Sequence, residues 1–159
     1  MTTRPEATTA ANATTPPDAT TLPNDPQVAA LQAALAGEHA AVWACGRAAG
    51  ELSGRQRRAA LRELDAHRQA REELRRTIDS LGATPVDAAP AYLEPFPVSG
   101  AAAARRLLGH VNTGLSATYA DLAAASPRAA RRPAAMTSAA AAVRAVDWGA
   151  AAQAFPGAG

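Results

Sequence analysis

Lysine is absent from this 159-residue chain: all 16 basic residues are arginine, and against 14 acidic residues they leave a formal charge of only +2. So small an excess argues against a dedicated polyanion binder, whose basic footprint is stronger and gathered on one face. Together with the alanine excess, the arginine bias points to high-GC coding pressure. Cysteine is nearly missing as well. Cys45 alone allows no intrachain disulfide and no cysteine-based zinc site, so a reducing cytoplasm is the expected compartment. Aromatic residues make up only 4% of the chain, which leaves small side chains to build the core. No uninterrupted apolar run reaches the roughly 18 residues of a membrane span, and no segment alternates apolar and polar residues as a half-buried strand does. Neither a membrane protein nor a sheet is expected.

What the chain does have is helical periodicity over one domain's length. Met1–Asn24, rich in Thr, Ala and Pro, lacks both the basic and the apolar region of a signal peptide, and its composition predicts a disordered tail. Residues 25–159 then form the domain. Asp25 and Pro26 suit the cap and first position of a first helix, which runs to about Leu52. Ser53 and Gln56 have the spacing of a capping box for a second helix, which Gly82 ends as a left-handed cap. Four prolines between Ala83 and Val98 (Pro85, Pro90, Pro95 and Pro97) forbid a helix there. Ser99 caps a third helix that ends before Pro127, and a fourth runs from about Pro133 to Trp148 with Met136 and Val143 facing inward.

Two short-turn antiparallel hairpins joined by a long Pro-rich crossover define an all-α, ferritin-like four-helix bundle. Its seams carry an anomaly. On the first helix Leu31, Leu35, Glu38, Val42, Cys45, Ala49 and Leu52 recur at spacings of three and four, with a carboxylate in the middle. The second helix repeats the pattern with Leu64, His67, Arg71, Leu74, Ile78 and Leu81. Folding these helices about Ser53–Gly54 brings Glu38 to the height of His67 and Arg71. A third helix parallel to the second adds Asn112 to the layer, with Asp147 facing it.

Two readings of Glu38, His67, Arg71 and Asn112 stay open. One is a buried polar cluster that fixes helix register. The other is a metal site for iron or manganese, using Glu38, His39 and His67. Against a di-metal centre, the chain has no Glu-x-x-His pair, and Arg71 would repel a cation at short range. Cys45 reads as a small core residue and His110 as solvated, while Trp43 and Trp148 pack under the crossover or form a dimer face. Arg55–Arg76 is interleaved with Glu63, Asp65, Glu72 and Glu73, the pattern of a solvated, ion-paired face and not of an RNA-binding strip.

The segments Gly37-Glu38-His39-Ala40-Ala41-Val42-Trp43-Ala44-Cys45-Gly46, Ala66-His67-Arg68 and Pro90–Val98 with its Pro-Phe-Pro-Val end, and Trp148 with Ala154-Phe155-Pro156-Gly157, resemble a family of bacterial ferritin-like domains of unknown function. The similarity covers about Gln27 to Gly157. It implies a ferritin-like bundle and carries over no substrate or catalytic residue. Similar sequences often hold an acid where this one has Asn112, which weakens a metal centre. The expected role is a non-catalytic structural or interaction module with a degenerate polar site, pairing as a homodimer or with a helical protein. A metal-binding oxidase or storage protein is the alternative.

Overall fold

The computed structural model describes residues 25–153, so the expected tail, Met1–Asn24, lies outside them. Four helices follow in order: α1 (Pro26–Glu51), α2 (Gly54–Ser80), α3 (Gly100–Ala125) and α4 (Arg128–Asp147). Among the described residues there is no strand, and no helix is long and apolar enough to cross a membrane. α1 packs on both α2 and α3, and α3 packs on α4. No comparable contact joins α2 to α4, so the bundle keeps one open seam.

Asp25 caps α1 as its residue type predicts: Oδ1 accepts from the Gln27 amide at 2.7 Å, and Pro26 fills a position where no donor is missed. The capping box at Ser53 does not form. Its side chain makes no cap hydrogen bond, and residues 53–58 are exposed, which leaves the first amides of α2 accessible to solvent. Gly54, at φ +53°, makes the turn. Ser99 likewise leaves α3 uncapped, and Glu51 supplies the acceptor, bonding the Gly100 amide at 2.8 Å and Arg47 at 2.9 Å. These two bonds hold the Glu51 carboxyl below its ordinary range.

The stretch between α2 and α3 lies along one face of α1. Gln32 bonds the Thr84 carbonyl and the Val86 amide, His39 approaches the Val86 carbonyl, and Trp43 packs on Tyr92 with ring centroids 5.6 Å apart. Arg47 then bonds Glu94 and the Val98 carbonyl, and Glu51 closes the series at Gly100. These α1 positions recur every one or two turns of the helix, which is why a non-helical segment follows the helix so closely.

α4 begins a turn earlier than its sequence suggests and carries Pro133 inside it. The Ala129 carbonyl, which loses its partner there, belongs to an exposed residue. Its inward face is also different. Ala134, Ser138, Ala141 and Ala145 are buried, whereas Met136 and Val143 are 63% and 61% exposed. Small residues let α4 approach α3 until the hydroxyls of Ser116 and Ser138 each donate to the other's carbonyl. Met136→Ser is therefore expected to change stability by no more than about 0.5 kcal/mol. Ala141→Leu, at a fully buried position, is expected to cost about 2 kcal/mol by overpacking. Urea denaturation of the two variants checks this reversal of the expected face.

The apolar core is split in two. One cluster gathers Leu31, Leu35, Ile78, Leu115 and Leu122, and the other Cys45, Leu52, Leu64, Leu107 and Leu108. Glu38, His67 and Asn112 fall between them in sequence on their respective helices, and all three are buried.

Candidate functional site

Glu38 of α1 accepts two hydrogen bonds in the interior: Oε2 from His67 Nδ1 at 2.7 Å and Oε1 from the Tyr119 hydroxyl at 2.7 Å. One turn before His67 on α2, Glu63 is the second buried carboxylate. Its Oε1 accepts from Asn112 Nδ2 and its Oε2 from Trp148 Nε1 at 2.6 Å. Arg144 of α4 completes the layer by donating from Nε to Asn112 Oδ1 at 3.1 Å, and it lies 4.0 Å from Glu63. Each of the four carboxylate oxygens thus has a protein donor.

His67 joins the two acids. While Nδ1 bonds Glu38, Nε2 lies 3.5 Å from Glu63 Oε1, near enough for charge attraction but without a hydrogen bond. Burial alone would lower the His67 pKa. The hydrogen bond to Glu38 and the nearby Glu63 carboxylate overcome that penalty and hold it up to about 8. Burial would likewise raise the Glu63 pKa, but His67, Trp148 and Asn112 bring it below its ordinary value. At neutral pH the layer therefore sets two carboxylates against one imidazolium and one guanidinium, and its charges cancel. Burial pushes both the Tyr119 phenol and the Cys45 thiol upward, helped at Tyr119 by Glu38 and at Cys45 by Glu63 and Glu38, so both stay protonated.

The structure gathers Glu38, His67 and Asn112 into this layer and leaves Arg71 out of it. Arg71 turns sideways to pair with Glu72 at the surface, where its long side chain keeps the guanidinium hydrated, and Arg144 supplies the cation inside. His39 points to the inter-helix segment and not to Glu38, because adjacent helix positions diverge by about 100°. The set Glu38, His39 and His67 therefore does not converge on one ion. Asp147 is exposed and does not face Asn112. His110 is exposed, as its position suggested.

Four participants escape the sequence reading: Glu63, Tyr119, Arg144 and Trp148. Glu63 and His67 are four apart, and Asn112 and Tyr119 seven apart, so Glu63 and Tyr119 each share a helix face with a residue already singled out, whereas Arg144 and Trp148, four apart, share one only with each other.

Cys45, Glu63 and His67 offer donor atoms within 4.8 Å of one another, all buried. The set fits iron or manganese poorly. Two hard ions need several free carboxylate oxygens, whereas those of Glu38 and Glu63 already take donors, and a cysteine sulfur is a soft ligand ill matched to them. Along the open seam, a cleft of about 300 Å³ leads between Ala66 and Ala70 of α2 and Met136 and Ala140 of α4 to Glu38 and His67.

Comparison with known proteins gives a family and a fold. The family described as a domain of unknown function, DUF4439, matches residues 30–159. The crystal structure of a conserved hypothetical protein, rv2844, from Mycobacterium tuberculosis is similar to the chain, with a TM-score of 0.75 and 26% identity over 80% of this chain and 97% of that one. No curated protein matches. With a family model spanning most of its length, the chain belongs to the family described as a domain of unknown function, DUF4439.

Proposed function

We propose that this chain is a ferritin-like module of the cytoplasm in which a self-neutralising polar layer stands in place of a di-metal centre, and that its role is non-catalytic, structural or as an interaction partner. In this reading α1 with α2 and α3 with α4 are antiparallel hairpins, and residues 81–99 are the Pro-rich crossover between them. The series of contacts from Gln32 to Glu51 along α1 supports such a path.

One observation carries the reading. The four oxygens of Glu38 and Glu63 accept from His67, Tyr119, Asn112 and Trp148, and the positive charges of His67 and Arg144 oppose those of the acids. A metal centre keeps its carboxylates free for the ion and excludes cations from their midst. Here the protein supplies both donors and countercharge. Metal analysis of untagged protein is expected to find iron and manganese well below one ion per chain, with no change in the Glu38→Ala variant. Stoichiometric metal that disappears in Glu38→Ala would overturn the proposal.

A metal reading different from the Glu38, His39 and His67 set has one specific observation in its favour. His67 Nε2 is the buried side-chain nitrogen without a hydrogen bond among the described residues, and it lies beside Cys45 and Glu63. An ion held there would need a deprotonated thiol, so this reading favours zinc over iron or manganese and departs from the expectation that a lone Cys45 excludes a cysteine-containing zinc site. The same metal analysis, with zinc included and Cys45→Ser as the variant, decides between them.

A further inference from the structure

On the far side of α3 from its core face, a cavity of about 440 Å³ opens between Arg105, Arg106 and His110 and the turn Trp148–Ala150. That size is usual for small-molecule sites. No carboxylate lines it, and among the described residues neither arginine has an ion-pair partner.

One of the two guanidiniums is also positioned. Phe96, held between Pro95 and Pro97, lies beneath the Arg106 guanidinium at 4.0 Å and meets the His110 ring edge to face at 6.2 Å. The opposite wall is Trp148, whose indole is fixed by its hydrogen bond to Glu63. The Ala150 turn lies close against α3 at Gly109, where a Cβ would meet Ala150 Cβ at 3.4 Å and the Ala145 carbonyl at 3.5 Å, ordinary contact distances. A rigid aromatic wall facing two guanidiniums offers an apolar surface and a pair of unspent positive charges within one preformed cavity.

We infer that this cavity is a binding site for a small organic phosphate monoester, with its dianionic phosphate on Arg105 and Arg106 and its apolar body against Trp148. Two guanidiniums with no internal countercharge match a dianion better than a monocarboxylate, and their forked donors suit phosphate oxygens. The alanines at 102 and 150 leave room for a flat or aliphatic group beside the indole. This site shares Trp148 with the buried layer, but its charged groups, Arg105 and Arg106, are exposed and lie outside that layer.

The test uses the full chain carrying Trp43→Phe, so that Trp148 is the remaining tryptophan and reports directly on the cavity. Phenyl phosphate, inorganic phosphate and benzoate are titrated separately and followed by tryptophan emission and by calorimetry. Phenyl phosphate is expected to bind saturably and more tightly than either comparator. The Arg105→Gln/Arg106→Gln double variant, changed only at exposed positions, is expected to keep its helical circular dichroism and to bind phenyl phosphate at least about tenfold more weakly. Failure of phenyl phosphate to saturate, or equal affinity in the double variant, would overturn the site. Equal affinity for benzoate would overturn the phosphate assignment, and equal affinity for inorganic phosphate would overturn the role of Trp148.

Discussion

Glu63→Ala is expected to be the most damaging single substitution in the polar layer, lowering stability by about 3–5 kcal/mol and the melting temperature by about 10 °C or more. Three effects add. The Trp148 indole and the Asn112 amide each lose an acceptor in the interior. His67 and Arg144 lose the acid that balances them. A cavity also opens between two apolar clusters that can close only partly. Glu63→Gln keeps the volume and one acceptor but loses the charge, so an intermediate cost is expected. Glu73→Ala is the control. That residue stands on the same helix with its side chain 69% exposed, and its removal is expected to leave the melting temperature nearly unchanged. Chemical and thermal denaturation of the three variants measures the order. If Glu63→Ala matched Glu73→Ala, Glu63 would be solvated and the layer would not be closed.

The second large effect is a loss of stability on the alkaline side of neutrality. His67 is held up to about 8 in the folded protein against an ordinary value of 6.5, so the folded state binds its proton more tightly than the unfolded chain does. The resulting stabilisation is complete below pH 6.5 and is lost as pH rises through about 8; a shift of this size corresponds to about 2 kcal/mol. Glu63 acts in the opposite sense. Its folded pKa is depressed, so its contribution is present above the ordinary carboxylate value of 4.5 and is lost as the pH falls below it. Stability is therefore expected to be greatest between about pH 5 and 6.5. The alkaline slope separates this mechanism from a general charge effect. Glu38→Gln removes the hydrogen bond that does most to raise the His67 pKa, and His67→Gln removes the group. Both variants are expected to flatten the curve between pH 6.5 and 8. An unchanged slope in either would place the titration elsewhere.

How far this layer was legible depends on where hydrophobic periodicity survives. On α1 and α2 the apolar residues are large and regularly spaced, so Glu38 and His67 stood out as polar residues on buried stripes. Asn112 followed from the register of α3. Glu63 did not, because it sits in a run of arginines and acids that has the composition of a hydrated face, with only Leu64 and His67 marking the seam. Arg71 shares the seam's spacing, but a guanidinium on a long stem reaches water from the edge of a stripe. The contrast with Arg144 is instructive. In α4, alanine fills both buried and exposed faces, so periodicity cannot assign the register, and the larger Met136 and Val143 pointed to the wrong side. The number and order of the helices depend on strong local signals, whereas the residues closing the site depend on how closely alanine faces approach.

The protonation of one ring tests the central claim most directly. Nitrogen NMR of the His67 imidazole, assigned by its loss in His67→Gln, follows both ring nitrogens with pH and with added manganese or zinc. A neutralised protein network predicts that both nitrogens carry protons at pH 7, titrate near 8 and are indifferent to either ion. A midpoint below 6.5, or a ring nitrogen that loses its proton to a bound metal at pH 7, would contradict it.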